Sequence, residues 1–176
     1  MMEKLSTTVP FARLVRERER SQFEVVGSKV EFLLGPQTGD EDPCVLKATI
    51  PSVVVVPLHS HDAIEIFLVL SGSIDVLFES GGEMRWVEAG VGDLLEIPCN
   101  AKHAFRNRSQ SPMLNLLFTN SKHGRYLREI GRPLAPGEAV RPPDPSAVQH
   151  LLETARRHGY WFATPEENAS VGITHL

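Results

Sequence analysis

The chain has 176 residues, a formal net charge of −4 and 23% charged residues, a length that suits one domain with appendages. The acidic balance argues against a general nucleic-acid binder, which needs a basic face, and no apolar run approaches the length of a membrane span. Two cysteines, Cys44 and Cys99, are too few for a disulfide scaffold and lack metal-type spacing, so free thiols in a reducing compartment are expected.

Met1 to Arg20 lacks the apolar core of a signal peptide, which points to the cytoplasm. This N-terminal arm, residues 1–21, ends in the mixed-sign run Arg13–Arg20 and reads as a solvated helical or extended arm, because alternating charges largely cancel. From 22 to 120, short strands alternate with turn residues. Gly35–Asp40 marks a loop, Gly81-Gly82 a hairpin end, and Ser109–Pro112 another turn. Strands so closely spaced, with no helical pattern between them, indicate an antiparallel sandwich or barrel.

Within this region Val53–Pro57 and Ile64–Leu70 are rich in β-branched and large apolar residues, which favours strand. His59, His61 and Glu65 fall along this stretch with shared parity, so one extended strand would aim all three at the same side. His103 follows a short loop past Pro98. All four side chains are good ligands for a borderline divalent ion, and a cation would satisfy a buried carboxylate and imidazoles together.

After Ala63 that strand is apolar on both faces: Ile64, Ile66, Leu68 and Leu70 on one, Phe67 and Val69 beside Glu65 on the other. Cover for the second face comes either from another subunit, in a homodimer, or from the chain's own terminal segments. Parity places Phe67, Val69, Phe105 and Asn107 on the ligand faces. On the last barrel strand Met113, Asn115 and Leu117 are expected to face inward, with Leu114, Leu116 and Phe118 as the alternative set. Phe67, Val69, Phe105, Met113 and Asn115 are the candidates to line a mainly apolar pocket for a small organic substrate. Asn107 is expected to fix a turn with its amide. Arg85, Arg106 and Arg108 either bind a carboxylate near the mouth or are simply exposed.

Residues 121–176 read as a helical extension packed on the barrel. His123–Gly131 is a short helix with a glycine stop before Pro133. A proline-rich link leads to a second helix, capped by Asp144, with Pro145 in its first turn, an apolar stripe of Val148, Leu151, Leu152 and Ala155, and Gly159 at its end. Tyr160, Trp161 and Phe162 follow, as a lid over a pocket or as ordinary edge packing. His123, His150, His158 and His175 are read as ordinary polar residues.

The spacing Val53-x5-His59-x-His61-x3-Glu65-x6-Gly72 resembles the first motif of the cupin family, G-x5-H-x-H-x3,4-E-x6-G. Gly92-x5-Pro98-x-Asn100-x2-His103-x3-Asn107 resembles the second, G-x5-P-x-G-x2-H-x3-N. Val53 and Asn100 depart from it, each standing where the family has glycine. Asn is the non-glycine residue that best tolerates a left-handed backbone, so Asn100 is expected to keep its turn.

The resemblance implies an all-β fold, the cupin double-stranded β-helix or jelly-roll barrel, here with a short N-terminal arm and the helical extension. It also implies one divalent metal ion (iron, manganese, nickel, cobalt or zinc) held by His59, His61, Glu65 and His103, with Glu65 doubling as a candidate catalytic base. The implied activity is that of a small single-domain cupin resembling the quercetin dioxygenase group, an oxygenase acting on a small organic molecule. A redox-neutral isomerase, cyclase or lyase on the same site, or a non-enzymatic small-ligand binder, stand as alternatives, since one barrel hosts many chemistries.

Overall fold

The computed structural model describes residues 12–174; the start of the N-terminal arm and His175 lie outside the described residues. Two antiparallel sheets face one another. The larger runs β11 (Arg132–Pro133), β1 (Gln22–Val25), β2 (Ser28–Leu34), β3 (Pro43–Ile50), β10 (Met113–Asn120), β5 (Glu65–Ser71), β8 (Leu94–Ile97). The smaller runs β12 (Trp161–Phe162), β4 (Val55–Ser60), β9 (His103–Arg106), β6 (Ile74–Ser80), β7 (Glu83–Ala89). This is the jelly-roll arrangement expected, with helices confined to the C-terminal part.

Period-two burial fixes each strand's register. Cys44, Leu46, Ala48 and Ile50 of β3 point inward, as do Phe67 and Val69 of β5 and Met113, Asn115 and Leu117 of β10. Together with Phe23, Phe32, Val76 and Phe105 they fill the space between the sheets. The tight β6–β7 hairpin turns through Gly81 and Gly82 at φ 66° and 84°, which only glycine adopts freely at both positions of such a turn.

The expectation of one continuous ligand strand from His59 to Glu65 is corrected by the structure. The chain leaves β4 at Ser60, bends through 61–64 and enters β5 in the opposite sheet. Such a bend is how a strand changes sheets at the corner of a sandwich. The corner is pinned from both sides: Asn100 N–H donates to the His61 carbonyl at 2.6 Å, and Thr119 Oγ1 donates to the Ile64 carbonyl at 2.7 Å. Asp62, turned outward at the bend, pairs with Lys122.

The arm is irregular over residues 12–16, with one 3-10 turn at Glu17–Glu19. Helix α1 (Ser121–Ile130) follows β10 at once, with Asn120 as its cap, and Gly131 stops it. In α2 (Pro145–Arg157) Asp144 accepts from Ala147 N–H at 2.8 Å. Of the expected stripe Ala155 is buried and Val148 is 39% exposed, because α2 packs on α1 by its C-terminal half. A last short helix, α3 (Pro165–Ser170), carries the buried Asn168.

The extension does more than pack outside the barrel. It returns a two-residue strand to the edge of each sheet, β11 beside β1 and β12 beside β4. Residues beyond β12 cover the outer face of the smaller sheet, where Ile173 joins Leu58, Leu77 and Ala104. The outer face of the larger sheet is different: Ile64, Leu70, Leu94 and Phe118 stay 36–64% exposed, so the described terminal segments leave them uncovered. No helix among the described residues is long and apolar enough to cross a membrane.

Candidate metal centre

His59 is the next-to-last residue of β4, His61 opens the corner, Glu65 begins β5 and His103 begins β9 beside β4. The sheet change therefore brings the four residues together from two sheets. All are buried, at 8%, 2%, 4% and 1% exposure respectively. Donor atoms of His59, His61 and His103 lie within 4.8 Å of one another. Glu65 Oε2 sits 3.4 Å from His61 Nε2 and 3.1 Å from His103 Nε2.

The outer nitrogens show which ring atoms are free. His59 Nδ1 lies 2.8 Å from the Pro57 carbonyl, His61 Nδ1 3.1 Å from that of Ala63, and His103 Nδ1 2.9 Å from that of Ala101. A carbonyl only accepts, so each Nδ1 carries the hydrogen and each Nε2 presents a lone pair. Backbone partners of this kind orient metal-ligating histidines. Inside the cluster His61 Nε2, His103 Nε2 and Glu65 Oε2 are buried with no hydrogen-bond partner. Three convergent, unpaired electron-pair donors are costly without a cation and are satisfied by one, so the residues fit a divalent ion.

The electrostatics agree. Burial, with His103 and His61 alongside, holds the His59 imidazole well below its usual value, so it is neutral. Burial pushes the Glu65 carboxyl up, but the imidazoles of His103, His123 and His61 around it outweigh that and hold the group well below the usual carboxylate range.

His123, read from sequence as an ordinary polar residue, belongs to this cluster. It lies on the first turn of α1, buried, with Nε2 3.3 Å from Glu65 Oε1 and Nδ1 2.8 Å from the Tyr160 hydroxyl. A signal was present: Asn120 caps a helix directly after the last barrel strand, which places His123 on that helix's first turn, close to the end of the strand. Tyr160 stacks on Tyr126 at 4.1 Å, and Phe162 stacks on His59. Tyr160 and Phe162 thus lie against the cluster, whereas Trp161 packs on the opposite face with Leu58 and Ile173; the segment is held by the β12–β4 pairing and by Asn168, whose Oδ1 accepts from Leu58 N–H at 3.0 Å.

The proposed pocket residues Phe67, Val69, Phe105, Met113 and Asn115 meet around one void of about 10 Å³, room for about one water. Asn115 is its polar lining group; Nδ2 contacts Met113 Sδ and Oδ1 has no partner. Asn107 ties the 107–111 turn to Ile50 and Ser111 through its amide. The arginines do not reach the cluster's mouth as free groups. Arg106 and Arg108 pair with Asp75, Arg106 also lies over the Trp86 ring, and Arg85 pairs with Glu83.

Fold and site together define a double-stranded β-helix with a histidine–carboxylate cluster facing inward between its sheets. Residues 48–119 match the family model described as a cupin domain. That match spans 72 of the 176 residues, the central part of the two sheets. Among solved structures it is similar to the polyketide cyclase RemF from Streptomyces resistomycificus, with 19% identity and a TM-score of 0.53 over 63% of this chain and 80% of that one. It is also similar to Bacillus subtilis oxalate decarboxylase, described with Mn(II) centres, with 22% identity and a TM-score of 0.52 over 68% of this chain and 33% of that one. The chain thus spans about a third of the decarboxylase. At these identities the likeness is one of fold. No curated protein matches the sequence.

Proposed function

We propose that this protein is a metal-dependent cupin enzyme in which His59, His61, Glu65 and His103 hold one divalent ion and a small organic molecule is the substrate. The observation that carries this reading is the convergence of His61 Nε2, His103 Nε2 and Glu65 Oε2, all buried and unpaired. A bound ion would supply Lewis acidity or, for iron or manganese, redox chemistry with dioxygen. The chain's own part is to keep the His59 imidazole neutral, to keep Glu65 ionised as the carboxylate placed to take a substrate proton, and to exclude water by burial. Phe67, Val69, Phe105, Met113 and Asn115 surround a void of about 10 Å³, too small for an organic molecule, so a substrate would have to part these side chains or approach the ion from another side.

The preferred reaction class is oxygenation, on the strength of the three-histidine, one-glutamate donor set and its two-motif resemblance. Redox-neutral chemistry is the second reading, favoured by the presence of a polyketide cyclase among proteins of this fold. Oxygen uptake with candidate phenols and diketones separates them. Substrate-dependent consumption in iron- or manganese-loaded protein supports the first, and turnover without consumption supports the second.

A homodimer is part of the proposal. The uncovered row on the larger sheet, Ile64, Leu70, Leu94 and Phe118, is the face a second copy would bury. Light scattering should give twice the chain mass, and Phe118→Asp should give a monomer; a wild-type monomer refutes this part. The free thiols Cys44 and Cys99 support a reducing, cytoplasmic setting.

A further inference from the structure

Glu65 uses its two oxygens differently. Oε2 faces His61 and His103, whereas Oε1 faces His123, a residue outside both sequence motifs. We propose that His123 is a positioning residue: oriented by the Tyr160 hydroxyl, its Nε2–H holds Glu65 Oε1 and so turns Oε2 toward the nitrogens of His61 and His103. This rests on the metal-centre reading above.

The hydrogen-bond pattern separates His123 from the other imidazoles. His59, His61 and His103 each face a carbonyl with Nδ1, which frees Nε2 as an electron-pair donor. His123 Nδ1 faces a hydroxyl, which donates as well as accepts. Tyr160 is buried, and His123 is the sole hydrogen-bond partner of its hydroxyl among the described residues. The phenolic hydrogen is therefore satisfied only by donation to Nδ1. That leaves the hydrogen of His123 on Nε2, pointing at a carboxylate oxygen 3.3 Å away. A nitrogen that carries this hydrogen is a donor to Glu65 and has no lone pair for an ion.

Two elements of the C-terminal extension set this geometry. Asn120 Oδ1 accepts from His123 N–H at 3.0 Å and fixes the first turn of α1. Tyr160 is held flat on Tyr126, ring centroids 4.1 Å apart, and lies 4.9 Å from the His61 ring. The extension thereby reaches the ion-binding carboxylate through one imidazole. Partners of ligating groups are typically worth about 10- to 100-fold in metal affinity.

The test is titration of the metal-free full-length protein with Mn(II) and with Co(II), using wild type, His123→Gln, His123→Leu and Tyr160→Phe, with circular dichroism as the check on folding. The Gln side-chain N–H can replace the Nε2–H donor. His123→Leu should lose about 10- to 100-fold in affinity, Tyr160→Phe should lose less, and His123→Gln should recover most of the loss. The Co(II) absorption bands of His123→Gln should match wild type, since no ligand is removed. Wild-type affinity in Tyr160→Phe and in whichever His123→Leu material folds would overturn the proposal. So would altered Co(II) bands in His123→Gln, which would make His123 a ligand. Wild type that binds neither ion would instead defeat the metal-centre reading itself.

Discussion

The Phe162 ring lies nearly parallel to the His59 imidazole, with centroids 5.3 Å apart and 15° between the planes. The pair closes the β4 edge of the cluster, because β12 delivers Phe162 directly opposite His59. Such a contact is worth about 0.5–1.5 kcal/mol beyond area burial. Phe162→Ala should therefore speed ion release to a chelator by roughly 2- to 10-fold with the fold intact. An unchanged release rate would mean that Phe162 is edge packing only.

Gly124 passes over Cys44 so closely that a Cβ at that position would lie 2.6 Å from the sulfur. Since α1 carries His123, this contact sets how near the helix approaches the cluster. Gly124→Ala should destabilise the protein by about 1–3 kcal/mol through overpacking. Cys44→Ala in the same background should restore part of that loss, because the two residues share one contact. Additive effects in denaturant melts would refute the coupling.

Val53 occupies left-handed backbone at φ 61° and is 86% exposed, held there by its N–H donating to the Asn107 carbonyl at 2.8 Å. A β-branched side chain in that region costs about 1–2 kcal/mol. Val53→Gly should raise the melting temperature by about 2–4 °C, the relief of strain outweighing glycine's greater unfolded-state entropy. A lower melting temperature would show that the strain is small.

Acid should destabilise the metal-free protein. Burial lowers the pKa of His59 well below 6.5 and also lowers that of His123, against the pull of Glu65. As pH falls below 6.5 the unfolded imidazoles bind protons that the folded ones refuse, so stability falls in that window. Glu65, held well below 4.5, keeps its contribution above 4.5 and loses it only at lower pH. Melting in chelator should thus occur at lower temperature at pH 5.5 than at about pH 7.5, and His59→Gln should flatten the slope. A wild-type melting temperature that rises on acidification contradicts this.

The motifs made the clustering of His59, His61, Glu65 and His103 legible, since the spacing of the four residues survives in sequence even where the path between them bends. Parity within single strands also carried through, as Met113, Asn115 and Leu117 facing inward show. Parity failed from His59 to Glu65 because it presumes an unbroken strand, and the 61–64 corner is fixed by Asn100 and Thr119, distant in sequence. Asn100 keeps its turn at φ 65°, and Val53 adopts a similar φ of 61°, so both positions that depart from glycine in the motifs hold left-handed backbone. His123 and Tyr160 were illegible as a pair because they come from separate elements, joined only when α1 and α2 pack together.

The central claim is tested most directly by equilibrium dialysis of the metal-free protein against Mn(II), with elemental analysis of wild type and His61→Ala. The account predicts one ion per wild-type chain and a sharp loss in His61→Ala, with circular dichroism showing the β-sheet fold intact in both. A wild-type chain that stays empty at saturating Mn(II), iron(II) and zinc, or a His61→Ala chain that loads fully, would contradict it.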